Sequence, residues 1–204
     1  HIMNKTLTRA KCALVLVLAA ATSSALALPT RVAQTQTEAL LLLSNATSGA
    51  ISSRVAAIDA YATVRARTGQ VLMADDAAAT PLLRAQNFLV SYGALSGVID
   101  PVNQLVQNRV VVDSAGATHI HLNQMQSGLP VFGARLVVHM NGVGITGVNG
   151  VFIPGLESMS TAPKMDIAVL RERALAAGRK LHGKTLEIES TRLMFYRSGL
   201  LKGV

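Results

Sequence analysis

Residues 113–150 read DSAGATHIHLNQMQSGLPVFGARLVVHMNGVGITGVNG and decide the fold. Apolar and polar residues alternate here, and turn signals interrupt the alternation at 113–116, 127–128 and 141–142. Alternation with a period of two is typical of strands that bury one face. The stretch therefore predicts consecutive antiparallel strands joined by short turns.

Four strands are expected, at 110–112, 118–126, 128–140 and 143–153. Ile120 and Leu122 fall on one face of the second strand, and His119 and His121 fall on the other. In the third strand the same apolar face is predicted to continue through Phe132, Leu136, Val138 and Met140.

The third strand begins with residues that sheets normally avoid. Gly128 suits the turn, and Pro130 lies among the first residues, where a missing N–H donor is tolerated. Gly133 indicates a bulge or a close backbone approach. Turn chemistry alone accounts for all three.

A helix precedes these strands. Thr80 is suited to cap it, Pro81 to its first position and Gly93 to its end. Its apolar face is predicted to share a core with the sheet, Phe88 and Leu89 meeting Leu136 and Val138. The expected fold class is α+β, a helix on a four-stranded antiparallel, cystatin-like sheet, plus a second, partial helix–strand unit.

The domain organisation is predicted from composition and breaks in pattern. Residues 28–79 are expected to be irregular, with a possible hairpin turning at 68–69. Residues 80–155 form the helix and sheet domain, and 156–163 a linker. In the second unit, 164–204, a helix from Asp166 to Gly183 and a strand over 185–196 are expected. A new apolar run begins at Leu200, so we expect the chain to be a fragment of a longer protein.

The first 27 residues are typical of a cloning scar, His1-Ile2, followed by a secretory signal peptide. A basic region precedes an apolar core, residues 12–21, and a small-x-small cleavage pattern follows at Ala25 and Ala27, with Leu28 as the first mature residue. A membrane anchor is the alternative, but the apolar run is about half of the ~20 residues that span a bilayer.

Composition narrows the function classes. Removing the leader leaves 16 Lys and Arg against 11 Asp and Glu, a net charge of about +5, and removes Cys12, so no disulfide is possible. The core must then be held by burial alone. Basic residues are scattered and aromatic residues are few, which argues against nucleic-acid binding. We expect an exported, periplasmic or extracellular protein with no membrane association in the mature form.

The quoted stretch resembles the fungalysin/thermolysin propeptide (FTP) domain. That family combines a D-x-x-G turn, a strand H-x-x-x-x-Q, a G-x-P-V-F-G hairpin, a strand ending in V-H and a closing V-x-G. The matching residues are Asp113, Gly116, His119, Gln124, Gly128, Pro130, Val131, Phe132, Gly133, Val138, His139, Val148 and Gly150. More weakly, residues 164–204 look like the first half of a PepSY domain.

The resemblance implies the prosegment of an exported, thermolysin-like zinc metallopeptidase, acting as its intramolecular chaperone and inhibitor. The implied partner is the cognate catalytic domain, and zinc and calcium are expected only in that downstream domain. The chain itself is expected to hold no cofactor and to catalyse nothing, because it has no H-E-x-x-H, G-x-S-x-G or P-loop motif. A stand-alone secreted binding or inhibitor module is the alternative.

Other chemical groupings have simpler interpretations. His119, His121 and His139 on one face suggest zinc, but without metal-ligand spacing solvated or interface histidines are favoured. The pairs Asp75–Asp76 and Glu187/Glu189 are interpreted as solvated faces. The basic residues of the second unit indicate either an acidic partner or a solvated helix face.

Overall fold

The computed structural model of the chain describes residues 11–12, 18–19, 30–55, 60–163, 165–183 and 186–197. The chain divides into two compact units, one of residues 21–159 and one of 1–20 with 160–204. Within the described residues, no helix combines the length and apolar character needed to cross a membrane. In chain order the elements are β1 (Lys11–Cys12), β2 (Leu18–Ala19), α1 (Thr30–Ala46), β3 (Ile51–Val55), β4 (Tyr61–Ala66), β5 (Met73–Ala74), α2 (Pro81–Tyr92), a 3₁₀ turn (Gly93–Ser96), α3 (Pro101–Gln104), β6 (Leu105–Val112), β7 (Thr118–Gln126), β8 (Leu129–Met140), β9 (Gly144–Val151), α4 (Ile167–His182), β10 (Glu187–Ile188) and β11 (Phe195–Tyr196).

An antiparallel sheet forms the centre of the larger unit. Its strands lie in the order β3-β4-β9-β8-β7-β6, and β5 also pairs with β9. The predicted strands β6 to β9 are present as a meander, so the α+β class and the antiparallel sheet are confirmed. The four-stranded, cystatin-like arrangement is not confirmed, because β4, β3 and β5 extend the sheet beyond β9.

Short turns set the register of the meander. Ser127 and Gly128 join β7 to β8 and both have positive φ, 47° and 77°. Two residues of this kind make a hairpin turn whose twist matches that of the flanking strands. Between β8 and β9, the Asn141 side chain accepts hydrogen bonds from the backbone N–H groups of Val143 and Gly144 at 2.9 and 3.0 Å. Both turns lie where the sequence predicts them.

Helix α2 packs on one face of the sheet. The Thr80 hydroxyl caps its first turn by accepting from the Leu83 N–H at 3.3 Å, and Pro81 is its first residue. Phe88 and Leu89 lie in one buried cluster with residues of β7 and β8, which confirms the predicted shared core. Burying such side chains contributes about 1.5–3 kcal/mol each. The sheet residues in that cluster include Ile120, Leu122, Leu136, Val138 and Met140.

The prediction for Phe132 was wrong. Phe132 is only half-buried, whereas Val131 and Ala134 are buried. Gly133, with φ of 72°, lies between them, and an extra residue in a strand moves the alternation by one position. The apolar face therefore passes from Val131 to Ala134 instead of through Phe132.

The region 28–79 is more regular than expected. It contains the 17-residue helix α1 and the strands β3, β4 and β5. A turn does occur at 68–69, but its flanks do not pair with each other; β4 and β5 both pair with β9. The predicted hairpin was wrong because the partner strand lies about 80 residues further along the chain, beyond the reach of local patterns.

The smaller unit contains the predicted helix, α4. The Asp166 carboxylate accepts from the Ala168 N–H at 2.7 Å, and Gly183 ends the helix with φ of 62°. The strand predicted over 185–196 is instead two dipeptide strands, β10 and β11, which pair in parallel with β1 and β2. The signal-cleavage residues Ala25, Ala27 and Leu28 lie outside the described residues. The domain boundaries and the PepSY assignment stay predictions.

Candidate functional site

The residues of the family pattern lie on both faces of the β7–β8 hairpin. His119 and Gln124 belong to the same strand but are an odd number of positions apart, so their side chains lie on opposite faces. Gln124 is on the face covered by α2, and His119 is on the opposite face, called here the outer face. The family pattern therefore includes both a core residue, Gln124, and a surface residue, His119.

Gln124 fastens the end of β9 to β7. The residue is 2% exposed. Its amide nitrogen donates to the Ile153 carbonyl at 2.7 Å, and its amide oxygen accepts from the Ile153 N–H at 2.8 Å. The side chain thus satisfies two buried backbone groups just past the end of β9. This geometry explains a glutamine at this position without reference to a ligand.

A chain of polar contacts crosses the outer face. The Asp113 carboxylate lies 3.0 Å from His119 Nε2, and His119 Nδ1 lies 2.7 Å from His139 Nδ1. His139 Nε2 in turn contacts the Asn149 side-chain oxygen. The four side chains come from the β6–β7 turn and from β7, β8 and β9, so this polar chain links four successive parts of the meander. Asp113, His119 and His139 are all residues of the family pattern.

Asp113 also organises its own turn. One carboxylate oxygen accepts from the N–H groups of Ala115 and Ala117, both at 2.9 Å. Gly116, with φ of 81°, occupies the left-handed position of that turn. The hydrogen bond with His119, followed by those to Ala117 and Ala115, holds the pKa of Asp113 below its usual value.

Two histidines of the outer face, His139 and His121, have lowered pKa values. Burial lowers the pKa of His139, against an opposing hydrogen bond to Asn149, and the charges of His119 and Arg65 lower it further. Burial also lowers the pKa of His121, and Arg109 and Arg135 add to that effect. Near neutral pH both rings are therefore held in the uncharged form.

The register of the sheet places arginines around these histidines. One row of directly paired residues crosses six strands, and its members are Arg54, Thr63, Asn149, Val137, His121 and Arg109. The next row contains Ser52, Arg65, Gly147, His139, His119 and Val111. Directly paired residues have their side chains on the same face. Arg135 pairs directly with Asn123, two residues after His121 on β7, and so lies on the same face. The four arginines of this face, Arg54, Arg65, Arg109 and Arg135, are exposed.

The remaining pattern residues shape the hairpin. Pro130 pairs with Met125 at the start of β8, Val131 is buried, and Gly128 and Gly133 adopt positive φ. Gly150 permits a close strand approach, since a Cβ there would lie 2.1 Å from the Arg135 carbonyl oxygen. These positions have a structural explanation in the turn, the bulge and the strand contact.

The interpretation of Asp75 as a solvated residue was wrong. Its carboxylate forms two hydrogen bonds with the Arg84 guanidinium, at 2.8 and 2.9 Å, and the two side chains are 5% and 8% exposed. Arg84 also donates to the Asn141 carbonyl at 2.5 Å. This buried pair ties α2 to the β8–β9 turn. Asp76, the residue next to Asp75, is exposed, and so are Glu187 and Glu189, as predicted for these three carboxylates.

The sequence did not predict that four arginines belong to this face. Arg135 follows the same alternation as His139 on the predicted third strand, and this signal was available in the sequence. Arg109 lies one residue before the predicted first strand, 110–112, so its face was not predicted. Arg54 and Arg65 lie on β3 and β4, which were not predicted to join this sheet. No local pattern connects either arginine with residues near 120 or 140.

The described residues contain no group of three or more His, Cys, Asp or Glu side chains placed to hold a metal ion. His119 and His139 contact each other and a single carboxylate, that of Asp113.

Comparisons with known proteins agree with the hairpin pattern. Residues 103–152, about a quarter of the chain, match the family model described as the Fungalysin/Thermolysin Propeptide Motif. No match was found among curated proteins or among solved structures. The matched motif belongs to propeptides and not to catalytic domains. The similarity of residues 103–152 to this motif supports a protease propeptide.

Proposed function

We propose that this chain acts as the prosegment of an exported zinc metallopeptidase precursor of the thermolysin or fungalysin type. In this role it assists folding of the catalytic domain and inhibits that domain until processing. The observation that carries the proposal is the match of residues 103–152 to the propeptide motif. Zinc and calcium belong to the peptidase domain in this proposal.

The physical basis is the linkage between binding and folding. A domain that binds only the native peptidase stabilises it by RT ln(1 + [L]/Kd), about 2.7 kcal/mol when its concentration is 100 times Kd. A covalently attached prosegment has a high effective concentration, so even modest affinity is sufficient. The sheet of residues 21–159 has its own buried core and is suited to present such a binding surface.

The proposal includes export and a second domain. Thermolysin-type propeptides belong to secreted proteases. In line with this, residues 3–27 act as the signal peptide, and cleavage after Ala27 removes β1 and β2 and releases the mature chain from Leu28. Residues 164–204 act as part of a PepSY domain, for which the basic helix α4 with its Asp166 cap is the supporting element.

A stand-alone secreted inhibitor or binding module is the competing proposal. The coding sequence that follows codon 204 separates the two. A peptidase domain with an H-E-x-x-H helix supports the prosegment, since the two histidines of that motif bind zinc and its glutamate acts as general base. A reading frame that closes without such a domain contradicts the prosegment and favours the separate module.

A further inference from the structure

We propose that the outer face of the sheet is a docking surface for an acidic protein surface, with Arg54, Arg65, Arg109 and Arg135 as its anchoring side chains. The proposal rests on the prosegment function, because it identifies which face meets the peptidase. The proposed partner is a protein surface rich in carboxylate groups.

The strands of this face carry only positive charge. The seven strands β3 to β9 contain four arginines and no Asp or Glu. The Asp113 carboxylate, in the β6–β7 turn at the edge of the face, contacts His119 and none of the arginines. Within the described residues the ion pairs are Arg84–Asp75 and His119–Asp113, so no carboxylate of that part of the chain neutralises the four arginines. Arg135 donates to a neutral group, the Asn123 side-chain oxygen, at 3.1 Å. Like charges held together on one face favour an oppositely charged partner.

The arginines surround the neutral centre of the face. Six adjacent strands at about 4.8 Å spacing make the row from Arg54 to Arg109 about 24 Å wide. Thr63, Asn149, Val137 and His121 lie between those two arginines. A mixed polar and apolar centre with arginines around it matches the composition of protein interfaces, in which arginine is enriched.

A protein carboxylate suits these side chains better than a nucleic acid does. The guanidinium group binds carboxylates through two parallel hydrogen bonds, which gives orientation as well as attraction. Nucleic-acid surfaces commonly add stacking aromatic side chains to their basic residues, and the two register rows contain no Phe, Tyr or Trp. The proposed partner is therefore an acidic protein. Binding to nucleic acid or to anionic lipid is measured as the alternative result.

The test uses the full chain and charge-reversal pairs of equal size. R109E/R135E reverses two arginines of the outer face, and R173E/K180E reverses two exposed cations of α4 as the matched control. Poly-L-glutamate is the probe for acidic protein, and duplex DNA and phosphatidylserine vesicles are the alternative probes. Melting curves of each variant establish that it is folded. If R109E/R135E is unfolded, R54E/R65E replaces it at the other end of the face.

We expect R109E/R135E to weaken binding to poly-L-glutamate at least tenfold and the α4 control to change it less than twofold. Equal losses in both variants, or no loss in R109E/R135E, would overturn the proposal. Tighter binding to DNA or vesicles that is lost in the same variant would also overturn it, by assigning the face to phosphate.

Inhibition of a mature thermolysin-type metallopeptidase separates this proposal from the prosegment function. Weaker inhibition by R109E/R135E, with the α4 control unchanged, supports both. Full inhibition by R109E/R135E leaves the prosegment function standing and contradicts the docking face. No inhibition by the unchanged chain, together with selective loss of poly-L-glutamate binding in R109E/R135E, contradicts the prosegment function and supports the face.

Discussion

The Gln124 side chain and the Ile153 backbone form a reciprocal pair of hydrogen bonds, of 2.7 and 2.8 Å, inside the protein. The pair joins the turn end of β7 to the segment that leaves β9. Gln124 is a residue of the propeptide pattern, so at this position the pattern records a requirement of folding.

Replacing Gln124 by leucine should therefore destabilise the fold. Q124L leaves the N–H and C=O of Ile153 buried without partners, at about 1–3 kcal/mol for each group. We expect the free energy of unfolding, measured by urea denaturation, to fall by about 2–6 kcal/mol. Q107L, at an exposed position of neighbouring β6, should change it by less than about 0.5 kcal/mol. Equal effects of the two substitutions would contradict the role assigned to Gln124.

The buried pair of Arg84 and Asp75 leads to a second prediction. D75A leaves the Arg84 guanidinium buried without its carboxylate, and breaking such a pair costs about 3–5 kcal/mol. D76A removes an adjacent, exposed carboxylate that accepts from the Ala78 N–H, and should cost less than about 1 kcal/mol. Thermal unfolding of both variants measures the difference. Similar melting temperatures would mean that Asp75 is solvated.

Stability should depend on pH through the outer-face histidines. The pKa values of His139 and His121 are lowered in the folded protein, chiefly by burial. The unfolded chain therefore takes up protons first as the pH falls below about 6.5, and stability present above that pH is lost on acidification. Asp113 titrates in a lower range and does not contribute between pH 7.5 and 5.5.

We expect the melting temperature to be lower at pH 5.5 than at pH 7.5, and H139Q to reduce that difference. H182Q, which changes an exposed histidine of α4, should leave the difference unchanged. The groups facing His139 are His119, Arg65 and Asn149, and none of them is replaced in either variant. A pH dependence that H139Q does not alter would show that burial of this ring is not its source.

Processing of the leader leads to a fourth prediction. Expressed in a secreting bacterial host, the protein should be recovered with Leu28 as its first residue, because Ala25 and Ala27 satisfy the small-x-small rule. Intact-mass measurement of the secreted protein identifies its first residue directly. Exported protein that retains Cys12 would contradict the signal-peptide assignment.

The parts of the fold that the sequence predicts are those with local causes. The turns at Ser127–Gly128 and Asn141–Gly142 follow from residues at the turn itself. Helix α2 follows from Thr80 and Pro81 at its start together with a regular apolar face. In each case the deciding interactions lie within a few residues, and the structure agrees with the prediction.

The parts that escaped prediction depend on distant partners. Strand β4 is stabilised by β9, about 80 residues away, and α1 packs on the 3₁₀ turn after α2. Asp75 and Asp76 are adjacent residues of the same type, so the sequence gives no reason to treat them differently. They differ in the structure because Arg84 lies against Asp75. Two of the four arginines of the outer face, Arg54 and Arg65, lie on β3 and β4. Because these strands were not predicted to join the sheet, neither arginine could be assigned to that face from the sequence.

The central claim is tested most directly by adding the purified chain to a mature thermolysin-type metallopeptidase from the same organism and following hydrolysis of a peptide substrate. The prosegment function predicts concentration-dependent inhibition that substrate relieves, and a higher yield of active enzyme when the denatured peptidase refolds with the chain present. Unchanged hydrolysis together with an unchanged refolding yield would contradict it.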